Sequence, residues 1–180
     1  MTGASAPSIV IVVGNPKVNS RTLDAARSMA DAIAEAVGWN EVAVTTVVDL
    51  AEVTSELFDW GSERVRSNVD ALRTARLAVI ASPVYKATYS GLLKAFLDRV
   101  GQGELHEVVV VPLMVGAAAN HALAVEVHLR PLLAELGAVL PTRGVFLLES
   151  QLVDLRPAID AWLTSESHTL RIRRALGVSD

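Results

Sequence analysis

Five runs of the chain, residues 8–13, 42–48, 77–81, 108–115 and 139–147, are dominated by apolar and largely β-branched side chains. Such runs predict strands covered on both faces, because a strand with one wet face would alternate polar and apolar positions. Between them the apolar residues change to helical spacing. Leu23, Ala26, Ala30, Ile33 and Val37 make one stripe, closed by the stop signal Gly38. Helices are also predicted over 92–100, over 122–136 with Gly137 as the stop, and from Pro157 onward. Val65, Val69 and Leu72 suggest one more, whereas residues 50–62 carry no decisive pattern.

Strands alternating with helices imply an α/β three-layer sandwich, a parallel sheet with right-handed crossovers and helices on both faces. The common five-stranded solution has the order 2-1-3-4-5, with its switch point between the first and third strands. The expectation is one domain over residues 1–180. Two unusual loops, after Val13 and after Ala81, would meet at that switch point, where ligands of open α/β sheets bind.

Charge narrows the partners. Sixteen Lys and Arg stand against twenty Asp and Glu, a formal net charge of -4, so nothing global attracts nucleic acid or an anionic membrane. There is no cysteine, which excludes disulfides, thiol catalysis and thiolate metal sites. The four histidines show no metal-ligand spacing. The uncharged stretch 108–125 contains Pro112, Gly116, Asn120 and His121, and reads as a buried strand and turn rather than a membrane span. No leader pattern precedes the first strand, so a cytoplasmic location is expected.

Gly14-Asn15-Pro16-Lys17-Val18-Asn19-Ser20-Arg21-Thr22 lies between the first strand and first helix. Free backbone N–H groups and the helix dipole favour an anion there. Lys17 and Arg21 add charge, while Ser20 and Thr22 add hydroxyls, a donor density suited to a terminal phosphate. The signatures of a dinucleotide Rossmann site and of a P-loop are both absent. Two readings stay open for this loop alone, a phosphate site and an ordinary helix start capped by Ser20.

Ser82-Pro83-Val84-Tyr85-Lys86-Ala87-Thr88-Tyr89-Ser90-Gly91-Leu92-Leu93-Lys94-Ala95-Phe96-Leu97-Asp98 resembles the flavin-binding loop and following helix of the NAD(P)H-dependent FMN reductases of flavodoxin-like fold. The likeness is strongest to the reductase components of two-component flavin monooxygenases. It implies that NADPH or NADH reduces FMN, which serves a partner monooxygenase, in a homodimer or homotetramer. The first loop would hold the FMN phosphate through Asn15, Lys17, Ser20, Arg21 and Thr22, although Asn15, Lys17 and Thr22 replace the family's usual Ser, Arg and Ser. Pro83, Val84, Tyr85, Lys86 and Ala87 would line the ring, and Gly116, Ala117 and His121 would stand where the family has a Thr-Gly-Gly turn. The cofactors carry the reaction, so no catalytic acid or base is nominated. The same fold also suits an FMN-retaining reductase of quinones, azo dyes or metal oxyanions, or a flavodoxin-like electron carrier.

Pro131 lies inside the predicted fourth helix and leaves the carbonyl of Val127 without its usual partner. A kink or π-bulge near Val127 and His128 would relieve the clash. By resemblance, such a bulge would put His128 at an oligomer contact that influences flavin retention.

Overall fold

Successive residues of the first strand enter opposite cores: Ile9, Ile11 and Val13 pack on one side, Val10 and Val12 on the other. That alternation within an all-apolar run is what a sheet covered on both faces requires. The computed structural model describes residues 7–39 and 43–178. Its strands are β1 (Ser8–Val13), β2 (Val44–Asp49), β3 (Leu77–Pro83), β4 (Val109–Gly116) and β5 (Val145–Leu148). They pair in parallel in the order β2-β1-β3-β4-β5. The expected topology is therefore observed.

The helices are α1 (Arg21–Val37), α2 (Glu63–Arg73), α3 (Gly91–Leu97), α4 (Arg130–Glu135), α5 (Arg156–Thr164) and α6 (His168–Leu176). Helices α1, α5 and α6 cover one face, with Leu23, Met29, Ile33, Ile159 and Ile172 fully buried against it. Helices α2, α3 and α4 cover the other through Val65, Leu72, Leu93, Phe96 and Leu133. Among the described residues no helix is long and apolar enough to cross a membrane.

Register aligns the carboxyl ends of the strands into one edge. Val13 pairs with Asp49 and with Ala81, Pro83 pairs with Val115, and Gly116 pairs with Leu148. Everything that leaves these strands emerges on the same side of the molecule.

Several boundaries differ from expectation. Ser82 and Pro83 extend β3 instead of starting a loop, because Ser82 pairs with Met114 and Pro83 with Val115. The start predicted for β2 at residue 42 lies outside the described residues. The fifth strand begins only at Val145, not at residue 139. Val139 makes an isolated bridge to Val109, after which Pro141 has no N–H to continue a ladder and the chain turns outward to α4. There Arg130 Nη2 donates to the carbonyl of Leu140 at 3.0 Å. The third helix stops at Leu97 rather than 100, and residues 50–56 form a 3₁₀ turn capped by Asp49, whose Oδ1 accepts from Ala51 N at 3.2 Å. The C-terminal segment is two helices, split at Glu166 and Ser167, both with positive φ.

The irregularity expected around Pro131 is present as a π-turn over Val125–Leu129, continuing directly into α4. Arg130 N bonds to the carbonyl of Val125, five residues back. Glu126 Oε1 accepts from Gly144 N at 2.6 Å, and a Cβ on Gly144 would overlap the Val125 side chain. The turn is thus packed against the segment that delays β5.

Candidate functional site

The loop after β1 is fastened from three directions. Asn15 Nδ2 donates to Thr22 Oγ1 at 3.0 Å, and Asn15 Oδ1 accepts from Lys17 N at 2.9 Å. Asn19, with φ of 50°, donates its N–H to Asp49 Oδ2 at 3.2 Å, which ties the loop to the end of β2. Ser20 is the N-cap of α1, its Oγ accepting from Leu23 N at 3.3 Å. As the first two residues of the helix, Arg21 and Thr22 have backbone N–H groups without partners inside it. The capped helix start therefore still leaves two backbone donors at its tip.

Two serines join this loop to the one after β3. Ser82 Oγ accepts from Ser90 N at 2.9 Å, and Ser90, the N-cap of α3, donates its hydroxyl to the carbonyl of Gly14. Gly14 has to be glycine for the approach: a Cβ would overlap the Cβ of Leu93 on α3. The second loop is a tight turn in which Tyr85 N bonds to the carbonyl of Thr88 at 2.8 Å and Thr88 N returns the bond at 3.1 Å. Lys86 and Ala87 form its tip with φ of 51° and 66°. Val84 N donates to the carbonyl of Val115 at 2.7 Å, which anchors the turn to β4.

Between the loops lies a cleft of about 350 Å³ lined by Asn15, Lys17, Ser20, Arg21, Thr22, Pro83, Val84 and Tyr85. These eight residues were expected at a site from the sequence. Four others complete it: Asn19 of the first loop, Val115 at the end of β4, and Glu149 and Leu152 after β5. Glu149 Oε2 accepts from Arg21 Nη2 at 2.9 Å. Glu149 and Leu152 gave no sequence signal because only the sheet order brings residues after β5 beside the start of α1.

Lys86, Ala87, Gly116, Ala117 and His121, also expected at the site, do not line this cleft. Gly116 is buried at the end of β4, where a Cβ would come within 2.8 Å of the Phe146 ring. Ala117 is exposed, and His121 ends a 3₁₀ turn over Ala119–His121. His128 is exposed in the π-turn. Among the described residues no group of His, Asp and Glu is placed to hold a metal.

The lining combines a lysine, a guanidinium, hydroxyls and free helix N–H groups from the first loop with the apolar Pro83, Val84, Val115 and Leu152. A mixed lining of this kind suits a ligand that joins a phosphate to a flat apolar body, and the volume falls within the usual range for small-molecule sites. FMN has that shape and charge. The family model for NADPH-dependent FMN reductases matches residues 7–152. The chain belongs to this family.

Its relatives agree with that membership. An NADPH-type FMN reductase of Escherichia coli K12 is 32% identical over 150 residues, covering 81% of this chain and 75% of its own. The NADH-dependent FMN reductase SfnF of Pseudomonas putida is 30% identical over 128 residues, covering 70% of this chain and 69% of its own. The apo form of the NADH:FMN oxidoreductase EmoB superposes with a TM-score of 0.76 at 28% identity, over 97% of this chain and 91% of that one. This member of the FMN reductase family is accordingly an oxidoreductase whose substrates are FMN and a reduced pyridine nucleotide.

Proposed function

We propose that the cleft at the β1/β3 switch point is the FMN site and that the protein supplies reduced FMN to a separate flavin-dependent monooxygenase. The observation that carries this reading is the convergence of both loops on one cleft, the first contributing donors and cations and the second contributing Pro83, Val84 and Tyr85. Asn15, Lys17, Ser20, Arg21 and Thr22 hold the phosphate. Pro83, Val84 and Tyr85 flank the ring, while Lys86, Ala87, Gly116, Ala117 and His121, which do not line the cleft, lie on the segments that continue from Tyr85 and Val115. When bound, FMN supplies the redox chemistry, taking a hydride equivalent from NADPH or NADH and passing two electrons on.

The chain's own contribution is binding and orientation. The α1 N-terminus and the two cationic side chains offset a phosphate of about -1.5 to -2 charge. The hydroxyl of Ser90 holds the two loops at a fixed separation, which fixes the distance from phosphate to ring. Tyr85, 48% exposed, leaves the outer face of the cleft open to a second flat substrate. No side chain is assigned to proton transfer.

In this reading residues 1–180 act as one flavin-binding domain in the cytoplasm. They assemble as a homodimer or homotetramer through the face that bears His128 and the exposed Leu123 and Val127. Stopped-flow reduction of added FMN by NADPH and by NADH tests the activity, together with the flavin content of the purified protein. Rapid turnover with little retained flavin is expected. Oxidation of neither nucleotide would refute the activity, and tightly retained flavin would refute the supply of free reduced FMN.

A further inference from the structure

The one guanidinium lining the cleft is already engaged. Arg21 Nη2 donates to Glu149 Oε2 at 2.9 Å, although Arg21 opens α1 after β1 and Glu149 follows β5 at the sheet edge. Both side chains face the same cleft as Lys17. A carboxylate there works against a phosphate twice: its charge repels a dianion, and it occupies the donor that a phosphate would take.

Local structure gives Glu149 no other task. Its 3₁₀ turn is closed by Gln151, whose Oε1 accepts from Leu148 N at 2.8 Å. Among the described residues, the Glu149 side chain bonds only to Arg21. The pair is also solvated, with side chains 66% and 46% exposed, so it contributes little to folding and a competing dianion can break it.

We infer that Glu149 is a built-in competitor for the FMN phosphate: it holds Arg21 while the cleft is empty, releases it as FMN enters, and thereby speeds FMN release. The inference rests on the FMN-site reading above. It separates two tasks within one cleft, since the apolar wall of Val84, Val115 and Leu152 sets ring binding while Glu149 sets how firmly the phosphate is kept. The opposite role, in which Glu149 aims Arg21 at the phosphate, makes the opposite prediction.

Glu149→Gln keeps the size of the side chain and an acceptor for Arg21 while removing the charge. FMN and riboflavin are titrated into wild type and E149Q by fluorescence quenching, and release is timed after rapid dilution of preloaded protein. FMN is expected to bind E149Q about two- to fivefold more tightly and to leave correspondingly more slowly, the scale of one solvated charge interaction. Riboflavin, lacking the phosphate, should bind both proteins equally, and the FMN gain should shrink at high salt. FMN affinity that is unchanged or weaker in E149Q, or an equal gain for riboflavin, overturns the inference while leaving the FMN site intact. Wild type that binds neither flavin overturns the FMN site and this inference together.

Discussion

The two loops of the cleft are built on different principles. In the loop after β1, side chains fix the backbone: Asp49 holds Asn19, Asn15 holds Thr22 and Lys17, Ser20 caps α1, and Ser90 holds Gly14. After β3, the turn of residues 85–88 is closed by its own backbone bonds, and Tyr85, Lys86 and Ala87 are exposed. A preorganised loop loses little entropy on binding an anion, whereas an open turn keeps a flat surface available to a second ligand. The difference is what the proposed FMN site would use, a fixed loop for the phosphate and an open turn for the ring.

Gly14→Ala should break the loop after β1 most severely. The added Cβ meets the Cβ of Leu93, which the buried α3 helix cannot move aside, so a loss of about 3 kcal/mol or more is expected. Denaturant unfolding measures it, and a near-neutral result would mean that β1 and α3 are not tightly apposed. Gly116→Ala tests the end of β4, next to the cleft residue Val115, with a softer neighbour. Its Cβ comes within 2.8 Å of the half-buried Phe146 ring, and a cost of about 1–2 kcal/mol is expected. Adding Phe146→Leu should recover part of that loss; strict additivity in the double mutant would argue against the contact.

Lys17→Ala sharpens the comparison through binding instead of folding. Lys17 is exposed in the cleft, so the melting temperature should hold while FMN binds about fivefold more weakly and riboflavin is unaffected. Equal weakening of both flavins would move Lys17 away from the phosphate. The smallest effect belongs to the turn after β3. Ala87 has a φ of 66°, and glycine there relieves left-handed strain but adds freedom to the unfolded chain, leaving a net gain of about 0.5 kcal/mol. A clear loss of stability in Ala87→Gly would show that its methyl group packs in a way the turn geometry does not suggest.

Much of this architecture was readable from residue order because the informative features were local. Apolar runs such as 77–81 and 108–115 have only one comfortable place, a strand buried on both sides, and the Ser20 cap and the Gly38 stop bracket α1. Pro131 announced the π-turn, since a missing N–H has a fixed consequence four residues upstream. The features that escaped depend on contacts between distant segments. Glu149 and Leu152 join the cleft only because β5 lies beside β4, and β5 begins late because Arg130 and Glu126 engage residues 140–144. The break at Glu166 and Ser167 carries neither glycine nor proline, so its left-handed backbone left no composition signal.

The π-turn has a consequence for how the gene can vary. Each residue of a helix advances its side chains by about 100° and 1.5 Å, so one extra residue sets the phase of everything before it relative to everything after. Loss of a single codon within 125–129 would straighten the turn, swing Leu123 away from its present outward position, and pull Val125 off Gly144. Elsewhere on the surface a one-residue deletion shortens a loop. Here it would re-aim a whole face of the molecule.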